Sequence, residues 1–358
     1  MKRIAFFQND LGVGGIQKSI VNLLRNLDYD RFQVDLYLTD SRAFWDNRFP
    51  EQLRIFDLKP LPRIYSFLPF DFGKRQVEKD PGYKSAFPQD AEYDLAVDFN
   101  SYQFSCAAGA LTVPAKKRVM WIHNDVRIKL QNEWKYRVLW HFFKGKFQYY
   151  DGFVPVSKAL VEPFRAMSGV EGKPFTVIQN FIDVGEIHQK MTEDCPDLEL
   201  DESCMNFVAL GRLCHQKGYD IMLDTFAAAL KQRPELRLYI IGDGPDRPAL
   251  ERQAEELNIR EKVTFLGNQP NPYRYMARMD AFLSTSRYEG QPLNIMEAMA
   301  VGLPLYCAKN LEQYSEGLVG YEDLVPALVG AQKTEKRPDD LKRYNGEILE
   351  RIAALAGE

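Results

Sequence analysis

The sequence predicts two successive α/β domains, each built on a doubly wound, parallel sheet. Three observations carry this expectation. Short β-rich apolar runs alternate with segments of helical period, the pattern that lays helices over both faces of a sheet. The alternation breaks once, at the acidic and polar stretch Cys195–Ser203, which reads as a linker, and then restarts. The chain has 358 residues, more than the roughly 250–300 that one hydrophobic core serves.

Taken in order, Ile4–Phe7 reads as the first strand. The helix after it presents Ile16, Ile20, Leu23, Leu24 and Leu27 on one face, the spacing of a core-facing stripe. Further strands are expected at Phe32–Leu38, Leu95–Phe99, Arg118–Ile122 and Gly152–Val156. Residues 61–93, rich in Pro, Phe, Asp and Lys, show no clear period and read as a long, partly irregular excursion. Beyond the linker come strand Phe207–Leu210, helix Tyr219–Leu230, strand Leu236–Ile241 and helix Asp246–Leu257. Strands Val263–Leu266 and Ala281–Ser284 follow, then a helix opening at Pro292, where proline suits a first turn.

Composition narrows the function. An apolar fraction of 45% and a charged fraction of 27% are ordinary for a soluble globular chain. A formal charge of -4 argues against a general nucleic-acid binder. No apolar run is long enough to span a bilayer, and Met1–Phe7 lacks the form of a signal peptide. Five cysteines, odd in number and without a C-x-x-C pair, indicate neither a zinc site nor a disulfide framework. A cytoplasmic protein with reduced thiols is the expectation.

Four segments could carry chemistry. Gly12, Gly14 and Gly15 lie between the first strand and its helix, where glycines admit a phosphate or sugar to a helix N-terminus; a plain strand-to-helix turn is the other reading. Gly242-Asp243-Gly244-Pro245 follows a strand in the same way, with a tight turn as its ordinary explanation. In Gly211-Arg212-Leu213-Cys214-His215-Gln216-Lys217-Gly218, two cations beside a helix start could neutralise a diphosphate as it leaves; they could also be solvated surface charges. The segment from Tyr288 to Glu297 places Glu289 where α/β sheets bind ligands. It also sets Glu297 among Ile295, Met296, Ala298, Met299 and Ala300. A carboxylate there needs a partner: ribose hydroxyls, or a salt bridge, with Glu289 then a helix cap.

These residues together resemble glycosyltransferase family 4, retaining enzymes of the GT-B fold, in which two Rossmann-like domains face each other across a cleft. The resemblance runs along nearly the whole chain. It rests on Gly14-Gly15, His123, Pro155-Val156-Ser157, the run Val177 to Asp183, Gly211-Arg212, Lys217-Gly218, Gly242-Asp243-Gly244-Pro245, Phe265-Leu266-Gly267, the E-x7-E pair Glu289 and Glu297, and Gly302-Leu303-Pro304. It implies an acceptor-side domain over residues 1–180, a nucleotide-sugar domain over 181–335, and a C-terminal helix in 336–358 packing back toward the first. It also implies roles. Arg212 and Lys217 would hold the donor diphosphate, Glu297 the ribose, and Glu289 would face the donor sugar. Gly290 and Gln291, followed by Pro292 and Leu293, would offer backbone N–H groups. Asn268 would lie near the base, and His123 would touch the sugar unless it only caps its strand. Two departures stand out: after Pro304 the sequence runs Leu305-Tyr306-Cys307 instead of a glycine pair and a glutamate, and the excursion at 61–93 is long.

The implied reaction is transfer, with retention and without a metal or other cofactor, of a hexose or N-acetylhexosamine from a nucleotide diphosphate sugar, UDP by family frequency. The acceptor would be a glycan or a polyprenyl- or lipid-linked glycan of bacterial cell-surface polysaccharide synthesis. A GT-B glycoside phosphorylase and a non-catalytic, sugar-nucleotide-binding partner subunit are the rival readings. Residues 127–150 interleave Arg127, Lys129, Lys135, Arg137, Lys144 and Lys146 with eight aromatics against one acid, Glu133. That mixture suits peripheral contact with an anionic membrane on its inner face, or a core helix whose basic side chains snorkel.

Overall fold

The computed structural model describes the backbone of all residues but 13, 41–48, 60, 63, 66, 67, 102 and 133, and the side chains of these but 82, 84, 129, 132, 135 and 143. The chain forms two compact units, Met1–Phe181 with Arg343–Glu358, and Ile182–Lys342.

The first unit holds β1 (Lys2–Gln8), β2 (Phe32–Leu38), β3 (Arg54–Asp57), β4 (Tyr93–Asp98), β5 (Ala115–Ile122) and β6 (Gly152–Pro155). All neighbours pair parallel, in the order β3-β2-β1-β4-β5-β6. Ile4, Ala5, Phe6 and Phe7 are all fully buried. Successive side chains point to opposite faces, so both faces of β1 are covered, as a parallel sheet requires. The order reverses between β1 and β4, and the loops leaving these strands splay apart there.

The second unit repeats the scheme with β7 (Met205–Leu210), β8 (Leu236–Ile241), β9 (Val263–Gly267), β10 (Ala281–Ser284) and β11 (Leu305–Cys307). The parallel order is β11-β10-β7-β8-β9, with its reversal between β7 and β10. Phe207, Ala209, Leu238 and Ile240 of the sheet pack with Leu223 and Phe226 of the helix Tyr219–Leu230 in one core.

Several expectations need correction. Within the partly irregular excursion lie the helix Phe70–Lys79 and a short turn of helix, Pro81–Lys84, neither of which the sequence indicated. Its buried positions are Phe70, Gly73 and Val77. The middle one is a glycine because the Phe104 ring lies against it, where a Cβ would stand 2.5 Å from Cζ; the apolar stripe is therefore silent in the sequence. The acidic stretch at Cys195–Ser203 is no linker between units, since it lies inside the second, with Cys195 buried. That unit runs on to Lys342, past residue 335.

The last βα step after Pro304 closes with β11, a 3-10 turn at Lys309–Tyr314 and the helix Leu324–Val329. Residues 127–150 fit neither reading whole. They form the helices Val126–Asn132 and Trp134–Phe143 and a 3-10 segment Lys144–Tyr149. Trp140, Phe147 and Tyr150 are core residues, and Lys146 is buried with its ammonium 3.3 Å from Asp98 and 2.5 Å from Ser101 O. Trp134, Arg137, Val138, His141 and Lys144 are exposed. Glu133 and the side chains of Lys129 and Lys135 lie outside the described residues.

Candidate active site

In the second unit every candidate follows the carboxyl end of a strand, so the parallel sheet gathers them along one edge. The loop after β7 carries Arg212 and Lys217, that after β8 carries Gly242, that after β9 carries Asn268, and that after β10 carries Glu289. Lys217 and Glu289 thus leave the two strands that flank the reversal. Their side chains meet there, Nζ donating to Oε1 at 2.6 Å, with Glu289 only 5% exposed. Gln216 Nε2 donates to Tyr288 O at 3.1 Å and to Glu289 Oε2 at 3.3 Å.

The two loops are tied at further points. Thr285 Oγ1 donates to Gly218 O at 2.8 Å, and Arg287 donates to His215 O at 2.9 Å and to Asp220 at 2.7 Å. Asn294 anchors the start of the next helix by donating to Leu210 O at 2.7 Å. Arg212, in contrast, is exposed and makes no hydrogen bond or ion pair among the described residues. The loop after β7 thus carries one lysine fixed on a buried carboxylate and one exposed guanidinium.

Glu297 sits inside the helix Leu293–Val301, 4% exposed. Its Oε1 accepts from the Tyr273 hydroxyl at 3.0 Å. Beside the ribose hydroxyls or salt bridge expected for it, Glu297 has a phenol of the protein as a partner. Gly290, Gln291 and Pro292 are buried ahead of that helix, which has no acidic residue in its first turn and no side-chain cap. Gly242 has a packing role of its own: φ is +135°, and a Cβ would stand 2.0 Å from Gly211 O. The loops after β7 and β8 thus touch backbone to backbone. Asn268 is exposed at the end of β9.

In the first unit, Gly14 and Gly15 open the helix Gly15–Asn26, which again carries no side-chain cap and no acid in its first turn. Asp10 organises the approach, accepting from Gly12 N at 2.8 Å and Gln17 Nε2 at 3.2 Å. Val13 lies outside the described residues. His123 follows β5 and is buried, its ring packed on Phe99 with centroids 4.6 Å apart. Nε2 lies 3.1 Å from Phe99 O, so it carries the proton and Nδ1 is left as an acceptor. Burial drives its pKa down to about 3, and the imidazole is neutral at ordinary pH.

Comparison with known proteins settles the family. The model for Glycosyltransferase Family 4 matches residues 13–186, and that for Glycosyl transferases group 1 matches residues 192–323. The chain belongs to glycosyltransferase family 4. A Campylobacter jejuni relative, the N-acetylgalactosamine-N,N'-diacetylbacillosaminyl-diphospho-undecaprenol 4-alpha-N-acetylgalactosaminyltransferase, is 26% identical over 372 residues, covering 99% of this chain and 96% of that protein. An uncharacterized glycosyltransferase of Methanocaldococcus jannaschii is 32% identical over 99 residues; that match spans 28% of this chain and only 24% of the relative's length. Among solved structures, a mutant of S. aureus TarM in complex with fondaparinux, alpha-GlcNAc-glycerol and UDP superposes with TM-score 0.68 at 12% identity, covering 100% of both chains. The two units are the Rossmann-like pair of the GT-B fold.

Against this family pattern, Lys217 and Glu289 are brought into contact and Gly211 meets Gly242, while Glu297 pairs with Tyr273. Gln216, Arg287 and Tyr273 escaped the sequence reading, because their partners lie 24 to 73 residues away along the chain. The chain's one D-x-D triplet, Asp28-Tyr29-Asp30, sits in the turn leading into β2, at the opposite end of its strand from the ligand edge. There Asp28 accepts from the backbone N–H of Asp30 at 3.0 Å and of Arg31 at 3.3 Å.

Proposed function

We propose that this chain transfers a hexose or N-acetylhexosamine, with retention of configuration, from a UDP-sugar to a lipid-linked glycan in bacterial surface-polysaccharide synthesis. The observation that carries the reading is at the β7/β10 reversal: Lys217 bonded to Glu289, with Arg212 exposed on the same loop as Lys217. Arg212 and Lys217 hold the diphosphate and stabilise the charge it gains on leaving, so transfer proceeds without a metal. Glu289 faces the sugar and Glu297 the ribose, Gly290 and Gln291 approach the donor through their backbone, and Asn268 borders the base. Neutral His123, in the first unit, has Nδ1 as a hydrogen-bond acceptor for a hydroxyl. Positioning the acceptor hydroxyl against the departing phosphate, which takes its proton, supplies much of the remaining acceleration. The C. jejuni relative, matched from end to end and named for an undecaprenol-linked acceptor, supports a lipid-linked acceptor here.

The test is donor turnover. Purified protein is incubated with UDP-glucose, UDP-galactose, their N-acetylated forms and GDP-mannose while nucleotide release is followed. One UDP-sugar should turn over, and Arg212→Ala and Lys217→Ala should each slow it by about 10²–10³-fold, the first with unchanged unfolding temperature and the second with a lowered one, because buried Glu289 loses its cation. Near-normal rates in both variants overturn the assignment. For access to a lipid-linked acceptor, exposed Trp134, Arg137 and Val138 share one face of the helix Trp134–Phe143, an aromatic–basic surface suited to an anionic leaflet, and exposed Lys144 follows at the start of the 3-10 segment. Flotation with phosphatidylglycerol vesicles, lost in Trp134→Ala with Arg137→Ala, is the expected behaviour; no flotation of the parent protein removes the membrane part of the proposal.

A further inference from the structure

A carboxylate buried in an apolar helix can serve a ligand only if something holds it and keeps it charged. Glu297 is flanked in sequence by Ile295, Met296, Ala298 and Met299 and is 4% exposed. A group that reaches it is the Tyr273 phenol, donating to Oε1 at 3.0 Å from a different element, the short helix Tyr273–Met276.

That helix is itself pinned. Asn271 Oδ1 accepts from the backbone N–H of Tyr273 at 3.1 Å, and Asn271 Nδ2 donates to Lys190 O at 2.8 Å and to Glu193 at 2.9 Å. The phenol is therefore placed from outside the helix that bears Glu297. Burial, and then the charge of Glu297, lifts its pKa far above the ordinary tyrosine value, so it stays a proton donor throughout the working range. Two more carboxylates, Glu186 and Asp183 at the start of the helix Val184–Lys190, also act on the phenol. Asp183 caps that helix by accepting from Glu186 N at 3.0 Å, and Glu186 pairs with Lys190 at 2.6 Å. Tyr273 is thus a hydroxyl donor set among three carboxylates, Glu297, Glu186 and Asp183, with its bond directed to Glu297, which of these three is the one assigned to the proposed donor site.

We infer that Tyr273 is a positioning residue for nucleoside recognition: its hydroxyl fixes the orientation of the Glu297 carboxylate that receives the ribose of the donor. The inference rests on the ribose role proposed for Glu297. It makes a prediction that neither a diphosphate-binding role nor general packing makes. Losing the phenol oxygen weakens ligands that carry a nucleoside and spares those that carry only phosphate.

The experiment measures binding of UDP and of inorganic pyrophosphate by calorimetry to the full chain and to Tyr273→Phe, Glu297→Gln and the double variant, with thermal unfolding alongside. Tyr273→Phe keeps the ring and its packing, and removes one hydrogen bond to a charged group. UDP affinity should fall roughly five- to thirty-fold, and pyrophosphate affinity should change by less than about two-fold. In turnover the loss should appear in KM more than in kcat. In the Glu297→Gln background the tyrosine substitution should add little, because both act through the same carboxylate. If Glu297→Gln leaves UDP binding intact, the ribose role fails and the inference falls with it. If Glu297→Gln weakens UDP and Tyr273→Phe does not, the inference alone is overturned. Equal loss of UDP and pyrophosphate, or full additivity in the double variant, assigns Tyr273 to packing and overturns it as well.

Discussion

At the scale of the residue, the proposed site works with charge states that burial has already decided. His123 is held neutral because desolvation outweighs its bond to Phe99 O, bringing its pKa from 6.5 to about 3. The unfolded chain takes up that proton as pH drops below about 6.5, and the folded chain does not until about 3. The stabilisation from a neutral His123 is therefore complete above about pH 6.5 and is lost progressively as pH falls toward 3. His123→Gln removes the titration while keeping a donor for Phe99 O. Thermal unfolding at pH 7 and pH 5 should show a smaller drop for the variant than for the parent; equal drops would mean that the ring is protonated in the folded chain. Lys146 shows burial acting on a cation. Read from sequence as one of six basic residues in an interfacial stretch, it is instead enclosed with Asp98, Tyr150 and Ser101. The basic side chains that this segment exposes are those of neighbours such as Arg137 and Lys144.

At the scale of the element, the loops after β7, β8 and β10 act as one body, because glycines let their backbones touch and side chains stitch the rest. Gly242→Ala combines a positive φ of +135° with a Cβ 2.0 Å from Gly211 O, neither of which a rotamer change relieves. It should cost about 2 kcal/mol or more. Gly14→Ala, at the other glycine loop, meets only the far end of the Gln17 side chain, at 2.3 Å, on an extended backbone with φ 166°. Gln17 can swing away, so the cost should stay within about 1 kcal/mol. Chemical denaturation of the two variants compares them directly, and equal costs would refute the backbone-contact account. The same contrast marks what was legible in the sequence. Phe32–Leu38, Tyr219–Leu230, Leu236–Ile241 and Ala281–Ser284 have the bounds that their apolar pattern indicates, since burial on both faces or along one stripe writes itself into residue type. The helix Phe70–Lys79 does not, because a glycine occupies its central buried position. Glu289 was singled out by its place after a strand and Glu297 by its apolar setting, with the E-x7-E pairing supplied by the family resemblance, whereas Gln216 and Tyr273 are linked to them only through contacts made across the fold.

At the scale of the whole molecule, the chain finishes its first unit with its last residues. Ile348, Ile352 and Leu355 of the helix Lys342–Leu355 are buried. Tyr344 donates to Asn180 O at 2.7 Å, Arg351 to Val177 O at 2.8 Å and Lys117 to Leu355 O at 3.2 Å, while Arg31 pairs with Glu350 and Glu358, each at 2.9 Å. Each of the three large apolar side chains is worth about 1.5–3 kcal/mol on burial. Ordering the helix offsets much of that gain, so a net loss of a few kcal/mol is expected when residues 343–358 are deleted. For a unit of this size that is a shift on the order of 10 °C. The effect can be read separately in each unit, because all four tryptophans, Trp45, Trp121, Trp134 and Trp140, fall within residues 1–181 of the sequence and none within 182–342. Tryptophan fluorescence of the truncated chain should therefore melt early. UDP, whose proposed phosphate and ribose contacts all lie within Ile182–Lys342, should still raise a later calorimetric transition. An unshifted fluorescence melt would show that the C-terminal helix is dispensable to the first unit, and loss of the UDP-stabilised transition would show that the donor site does not stand on the second unit alone.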